Sequence, residues 1–432
     1  MWYGEICIGS PSKSCFNVGF DTGSSDTWVP AVSLPKTSPY DLSRFDPGSS
    51  SSYKQTGEDF KITYADGSEA SGISGEDTLT WTSFGLTIPG QKFGLVDSLE
   101  QSMQCGETDG MLGLAFSSLA YNHHPTPFEN LSPSLQYPMF SFYLDDEPDS
   151  NNSELFLGGV NQKYYEDCLT WHSLGHFSLA DGTPFEGFWD VQLTSVAVNS
   201  DELLTTAGVA LVDSGSSYLV VPLADAGTIA NKFDATCVNL NDDNTNIVVV
   251  ECTNADGFKF ALVDCATRQT SPNLDIFIEG INYPLSADDL FVEAEGSIPN
   301  TNKQCFLAMI NAGTTSNMYV LGDTFMRKYY TAFDHKLKKV GFARKSKNGE
   351  RQSPICALDK YLVEDLNRGS VFLTVLLSLL SIGVLGSGAI GARKYFLKRR
   401  GCGCVWTGET ARNSSTAGVA FSRLGESLGD NV

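Results

Sequence analysis

Apolar and polar positions alternate with period two through several short stretches of the chain. They are WYGEICI and SCFNVGF near the start, then FKITYADG (60–67), DTLTW (77–81), ELFLGG (154–159), FWDVQLTSVAV (188–198) and NIVVVECT (246–253). A period of two sends successive side chains to opposite faces of a sheet, so each stretch predicts a strand with one buried face. GSPSK between the first two predicts a hairpin turn. Helical periodicity is confined to short pieces, for example around 222–233. The pattern predicts an all-β chain.

One turn is written twice. Residues 20–30 read FDTGSSDTWVP and residues 212–222 read VDSGSSYLVVP. In each copy an apolar run ends in Asp, then a small hydroxyl residue, Gly and two Ser, with Pro nine positions after the Asp. The repeat extends further: DGMLGLAF (109–116) follows the first copy and NMYVLGDTF (317–325) follows the second, and in each an apolar strand runs into Leu-Gly. Two halves built alike place two equivalent loops face to face across a pseudo-twofold axis. The duplication therefore predicts a symmetric pair of carboxylates, Asp21 and Asp213, and divides the chain into lobes over 1–165 and 166–346.

A single DTGSS is ordinary turn chemistry, because Asp caps its own backbone in many loops. Two copies in matching halves read as a dyad. Carboxylates held about 3 Å apart cannot both ionise, so they share a proton. One then acts as general base on a bound water while the other, as acid, protonates a substrate carbonyl. This cleaves an amide with no metal, no cofactor and no covalent intermediate. Gly23 and Gly215 let the backbone approach the carboxyl oxygens and donate to them. Thr22 and Ser214 have hydroxyls suited to tying one loop to the other, and Ser24 and Ser216 are placed to hydrogen-bond the carboxylates.

FDTGSSDTWVP, ITYADGSEASG, DGMLGLA, ALVDSGSS and VLGDTFMRKYYTAFD, in this order, resemble the pepsin-like aspartic proteases over roughly residues 2–345. The resemblance implies two β lobes with the active cleft between them, peptide or protein substrates, and Asp21 and Asp213 as the catalytic pair. It implies that Tyr64 is the tyrosine of a hairpin flap closing over bound peptide, that Asp66 and Gly67 form the flap tip, and that Trp28 packs behind Tyr64. It also implies a disulfide between Cys265 and Cys305, with Cys237 and Cys252 as an extra pair. Two departures stand out. Ser214 replaces a threonine frequent in relatives but keeps the hydroxyl, and the acidic Asp66 is similar to fungal members that accept a basic residue beside the scissile bond.

Composition changes the picture at the C-terminal end. No residue between Arg368 and Arg393 is charged, a run of 24 positions. About 20 apolar residues cross a bilayer core, so a transmembrane helix is expected over 370–392, after a polar juxtamembrane stalk at 347–369. Arg393, Lys394, Lys398, Arg399 and Arg400 follow at once, which predicts a cytoplasmic tail over 393–432 and a lumenal or extracellular catalytic part. The whole chain carries −22, and the segment from Arg393 onward carries seven basic against three acidic residues. Acidity of this kind excludes nucleic acid as a partner, since phosphate binding needs clustered Lys and Arg. The catalytic part reads as a monomer.

Nine of the eleven cysteines precede the apolar run, where oxidation is permitted. Cys7 and Cys15 face each other across the first hairpin and are expected to pair; Cys105, Cys168 and Cys356 are left without an assigned pairing. Sequons place glycans at Asn130 and Asn151 on the same side. The first thirty residues show no basic start followed by an apolar core, so the chain is expected to lack its natural N-terminus.

Other signals carry less. His172 and His176 have helical metal spacing but sit in a strand-like stretch with no HExxH glutamate. GSGAIG (386–391) fits a dinucleotide pattern but lies inside the apolar run; Gly383, Ser387 and Gly391 there form a small-residue row suited to helix packing. Cys402 and Cys404 are candidates for acylation. The reading is a membrane-anchored aspartic endopeptidase. Its rival is an inactive protease-shaped module that binds peptides without cutting them; a decayed enzyme is expected to have lost an aspartate or Tyr64, and none of these is missing.

Overall fold

The computed structural model describes residues 2–36, 42–65, 67–100, 103, 108–146, 152–175, 177–178, 183–199, 201–203, 208–240, 247–254, 257–293, 305–312, 318–346 and 393–397. Asp66, Asn151, His176, Cys105, Cys356, the stalk and the 370–392 run lie outside them. The described part is mostly β with a few short helices, the longest being Leu223–Lys232. Among the described residues no helix is long and apolar enough to cross a membrane.

The first hairpin forms as its alternation predicts: Tyr3–Ile8 pairs antiparallel with Ser14–Asp21, with Cys7 opposite Cys15. These two cysteines are joined, as are Cys237 with Cys252 and Cys265 with Cys305. Cys168 is disulfide-bonded as well.

The duplicated sequence becomes a duplicated topology. In the first lobe Ser14–Asp21 runs parallel to Gly110–Gly113, which pairs antiparallel on its other side with Thr27–Pro30. In the second, Val209–Val212 runs parallel to Tyr319–Leu321, which pairs antiparallel with Leu219–Val221. In both, the strand ending at the aspartate and the strand leaving its turn flank one central strand that ends in Leu-Gly. The two sheets have seven and eight strands.

A third sheet underlies both. Its strands come from the first half (Met139–Tyr143, Ser153–Leu157) and the second (Thr170–Ser173, Tyr329–Asp334, Lys339–Arg344), with Arg393–Leu397 antiparallel to Ser153–Leu157 at its edge. Phe140 stacks on Phe333 at 4.8 Å, and Trp189 meets Phe333 at 5.2 Å, so aromatic packing joins the shared sheet to the second lobe. The indole of Trp189, fully buried, donates across the lobes to the carbonyl of Leu114 at 2.8 Å. Its strand is legible in the sequence, but its bridging role depends on a partner 75 residues away.

Candidate active site

Each catalytic turn starts where a buried apolar strand can go no further. Phe20 and Val212 are fully buried, and the next residue in each case is an aspartate at the lobe junction. Asp21 is 5 % exposed and Asp213 8 % exposed. A carboxylate so buried needs donors, and the turns supply them symmetrically. The amide of Gly23 donates to Asp21 Oδ1 at 2.8 Å and that of Gly215 to Asp213 Oδ1 at 2.8 Å. The hydroxyl of Ser24 donates to Asp21 Oδ2, and that of Ser216 to Asp213 Oδ2 at 2.6 Å.

The residues after the aspartates cross between lobes. Thr22 Oγ1 donates to the carbonyl of Val212 at 2.8 Å and accepts from the amide of Ser214 at 2.9 Å. Ser214 Oγ donates to the carbonyl of Phe20 at 2.8 Å and accepts from the amide of Thr22 at 3.1 Å. All four bonds are buried. This reciprocal clamp fixes one turn against the other. Replacing Thr22 by valine keeps the shape but orphans the amide of Ser214 and the carbonyl of Val212. The expected loss is about 1–3 kcal/mol in unfolding free energy, read from urea transitions; a loss below ~0.5 kcal/mol would mean the clamp holds nothing.

Glycine is required here by proximity. A Cβ on Gly23 would lie 2.6 Å from Asp213 Oδ1, and one on Gly215 would meet Asp21 Oδ1, so each glycine lies beneath the other turn's carboxylate. Behind the turns, Gly113 has no room for a Cβ against Ser25, and Gly322 none against Ser216. The Leu-Gly element of the repeat is thus a backing plate, a role that the motif alone did not announce.

The two carboxyls are neighbours, for the position of a Cβ on Gly215 lies against Oδ1 of both Asp21 and Asp213. Burial, and then the neighbouring Asp213 charge, push Asp21 up to about 8 against the donors of Ser24 and Gly23. Desolvation and like charge both favour keeping a proton, so the pair retains one from acid to neutral pH, and that proton belongs to the pair. Such a pair can serve as base and acid together: its ionised member would take a proton from a water attacking a carbonyl carbon, and its protonated member would give one to the carbonyl oxygen.

The predicted flap forms as a hairpin of Lys54–Thr63 with Glu69–Trp81. At its tip the amide of Gly67, with φ 84°, donates to the carbonyl of Tyr64 at 2.8 Å. Trp28 Nε1 donates to the Tyr64 hydroxyl at 2.8 Å, so the residue implied to pack behind the flap tyrosine also orients it.

A family model, "Eukaryotic aspartyl protease", matches residues 1–345. The chain belongs to the eukaryotic aspartyl proteases. Among curated relatives it is 31 % identical over 346 residues to pepsin A of Sus scrofa, covering 79 % of this chain and 80 % of that one. It is 30 % identical over 347 residues to embryonic pepsinogen of Gallus gallus, covering 79 % and 80 %. Cathepsin E of Rattus norvegicus is 31 % identical over 350 residues, with 79 % of each chain covered. The protein is an aspartic-type endopeptidase, and in this aspartyl protease the dyad, the clamp and the flap are all present.

Among the described residues, His172 does not join the site. His172 is fully buried, with Nε2 2.7 Å from the Tyr283 hydroxyl and Nδ1 3.2 Å from Glu279, and burial pushes its pKa below the ordinary histidine value. It is a packed core residue of the second lobe.

Proposed function

We propose that this aspartyl protease hydrolyses peptide bonds at acidic pH while anchored to a membrane, its catalytic lobes on the lumenal or extracellular side. The working range rests on one observation, two buried neighbouring carboxyls of which Asp21 is raised by burial and by the Asp213 charge, so that the pair keeps a proton throughout the acid range and loses it above neutral pH. The anchor rests on the 24-residue uncharged run and the basic cluster after it. Disulfides at Cys7–Cys15, Cys237–Cys252 and Cys265–Cys305 support an oxidising compartment. Asn130, exposed in the short helix Pro127–Leu131, is the proposed glycan acceptor, and its Nδ2 would give up its 2.8 Å bond to Gln91 Oε1 on modification.

A second topology has an observation in its favour. Arg393–Leu397 pairs with Ser153–Leu157 on the shared sheet, and a chain seated there keeps both ends of the apolar run on one side. Two measurements test the proposal. The purified full chain is expected to cut unstructured peptides at acidic pH and to be blocked by statine-type inhibitors. In sealed vesicles, a C-terminal tag is expected to be digested by added protease while the lobes are protected. Protection of both sinks the spanning topology, and absence of cleavage at any pH sinks the enzymatic reading.

A further inference from the structure

The strand that leads to the flap tyrosine is held in its sheet from one side. Lys54–Thr63 is the edge strand of the first-lobe sheet, paired among the described residues with Glu69–Trp81 alone. Its ladder is also interrupted. Gln55 faces Gly75 and Asp59 faces Ile73, so Thr56, Gly57 and Glu58 together stand opposite the single Ser74. A bulge of this kind bends an edge strand and breaks its run of ladder bonds. Tyr64 lies five residues beyond Asp59, about 16 Å along an extended chain, so a small change of angle at the bulge becomes a large displacement at the flap tip.

Asn122 grips the hairpin at this bulge. Its Nδ2 donates to the carbonyl of Asp59 at 2.9 Å and to the hydroxyl of Ser74 at 2.9 Å, one residue on each strand. Its neighbours reach the same strand: the ring of Tyr121 meets that of Phe60 edge-on at 6.2 Å, and His124 Nε2 lies 2.8 Å from Glu58 Oε2. An ion pair so open to solvent adds little by itself. The amide of Asn122, which joins both strands at once, is the main hold.

The segment before Asn122 is fastened to the first catalytic turn. The amide of Leu114 donates to the carbonyl of Asp21 at 2.7 Å, that of Ala115 to the carbonyl of Ser24 at 2.9 Å, and that of Gly113 to the carbonyl of Asp26 at 3.1 Å. The amide of Tyr121 donates to the carboxylate of Asp26, at 3.1 and 3.0 Å from its two oxygens. Asp26 comes five residues after Asp21, and Asn122 directly follows Tyr121. One side chain therefore links the flap hairpin to the segment that backs the first aspartate.

We infer that Asn122 is a positioning residue of this protease: acting through the flap, it sets where the hairpin, and Tyr64 with it, stands relative to the first catalytic turn. The inference rests on the endopeptidase reading and adds to it a residue that works through the flap.

The test is a double-mutant cycle on the full chain, with kcat/KM for one peptide referred to folded protein and a thermal melt to verify folding. Asn122→Ala removes the donor. Asn122→Asp keeps the shape but, assayed at about pH 5, turns an ionised oxygen toward the carbonyl of Asp59, an ordinary aspartate being ionised above about pH 4. Each substitution is expected to lower kcat/KM by about tenfold, inside the ~10²-fold that a misplacement of about 1 Å can cost. In a Tyr64→Ala background the same substitutions are expected to change it by less than about twofold, because the side chain they position is gone. A residue that only stabilises the lobe lowers the melting temperature and leaves no such coupling. Equal factors in the two backgrounds overturn the inference, and so do wild-type rates in both Asn122 variants. Should Asn122→Ala misfold, Asn122→Asp decides. These outcomes leave the endopeptidase reading standing, whereas wild type cutting nothing overturns both.

Discussion

Asp213→Asn is expected to lower kcat by about a thousandfold while the protein stays folded, in line with the ~10²–10⁴ that a positioned acid or base contributes. Asparagine has the shape of aspartate: its oxygen still accepts from the amide of Gly215, which donates to Asp213 Oδ1 at 2.8 Å, while its NH2 takes the place of Oδ2 and donates to the Ser216 hydroxyl, which turns to accept. It cannot take a proton from water or share one with Asp21. The loss should therefore fall on the chemical step, with KM for a peptide little changed. Steady-state kinetics at acidic pH, with a thermal melt to verify folding, decides the matter. Turnover within tenfold of wild type would remove Asp213 from the chemistry.

The second large effect is on stability against pH, and its sign follows from Asp21. The folded state raises this carboxyl from 3.8 to about 8, through burial first and the Asp213 charge second. Between those values the unfolded chain has released the proton and the folded protein still holds it. Unfolding then loses a proton, and stability falls as pH rises through the window. One fully differential proton contributes at most about 1.4 kcal/mol per pH unit. Wild type is expected to weaken steadily from about pH 4 toward about pH 8, and Asp21→Asn, which cannot titrate, to show a shallower slope. Urea transitions collected across that window measure both, and equal slopes would show that Asp21 does not hold the proton. Catalysis depends on the same proton, so activity should fade over the upper part of the same range.

Legibility differed sharply between kinds of residue. The dyad was readable because it is written twice with its supporting residues at fixed offsets: Thr22 and Ser214 form the clamp, and Ser24 and Ser216 reach the carboxylates, as their hydroxyls suggested. The flap tyrosine was readable from a short motif, and its bond to Trp28 joins residues only 36 apart. The bridging role of Trp189 was not readable. An indole in a strand looks like an ordinary core residue until its distant partner, Leu114, is placed beside it. The shared sheet was hidden for the same reason, since its strands come from both halves of the chain and each alone reads as an ordinary buried strand.

The order of residues by itself determined that this chain folds as β lobes, that the lobes repeat one plan, and that two acidic turns are equivalent, because periodicity and local turn chemistry act between near neighbours. Tertiary structure decided that those turns meet, that each glycine passes under the opposing carboxyl, and that a proton is retained between them. Burial and like-charge repulsion depend on distance through space, and a chain carries no measure of that until its long-range pairings have formed.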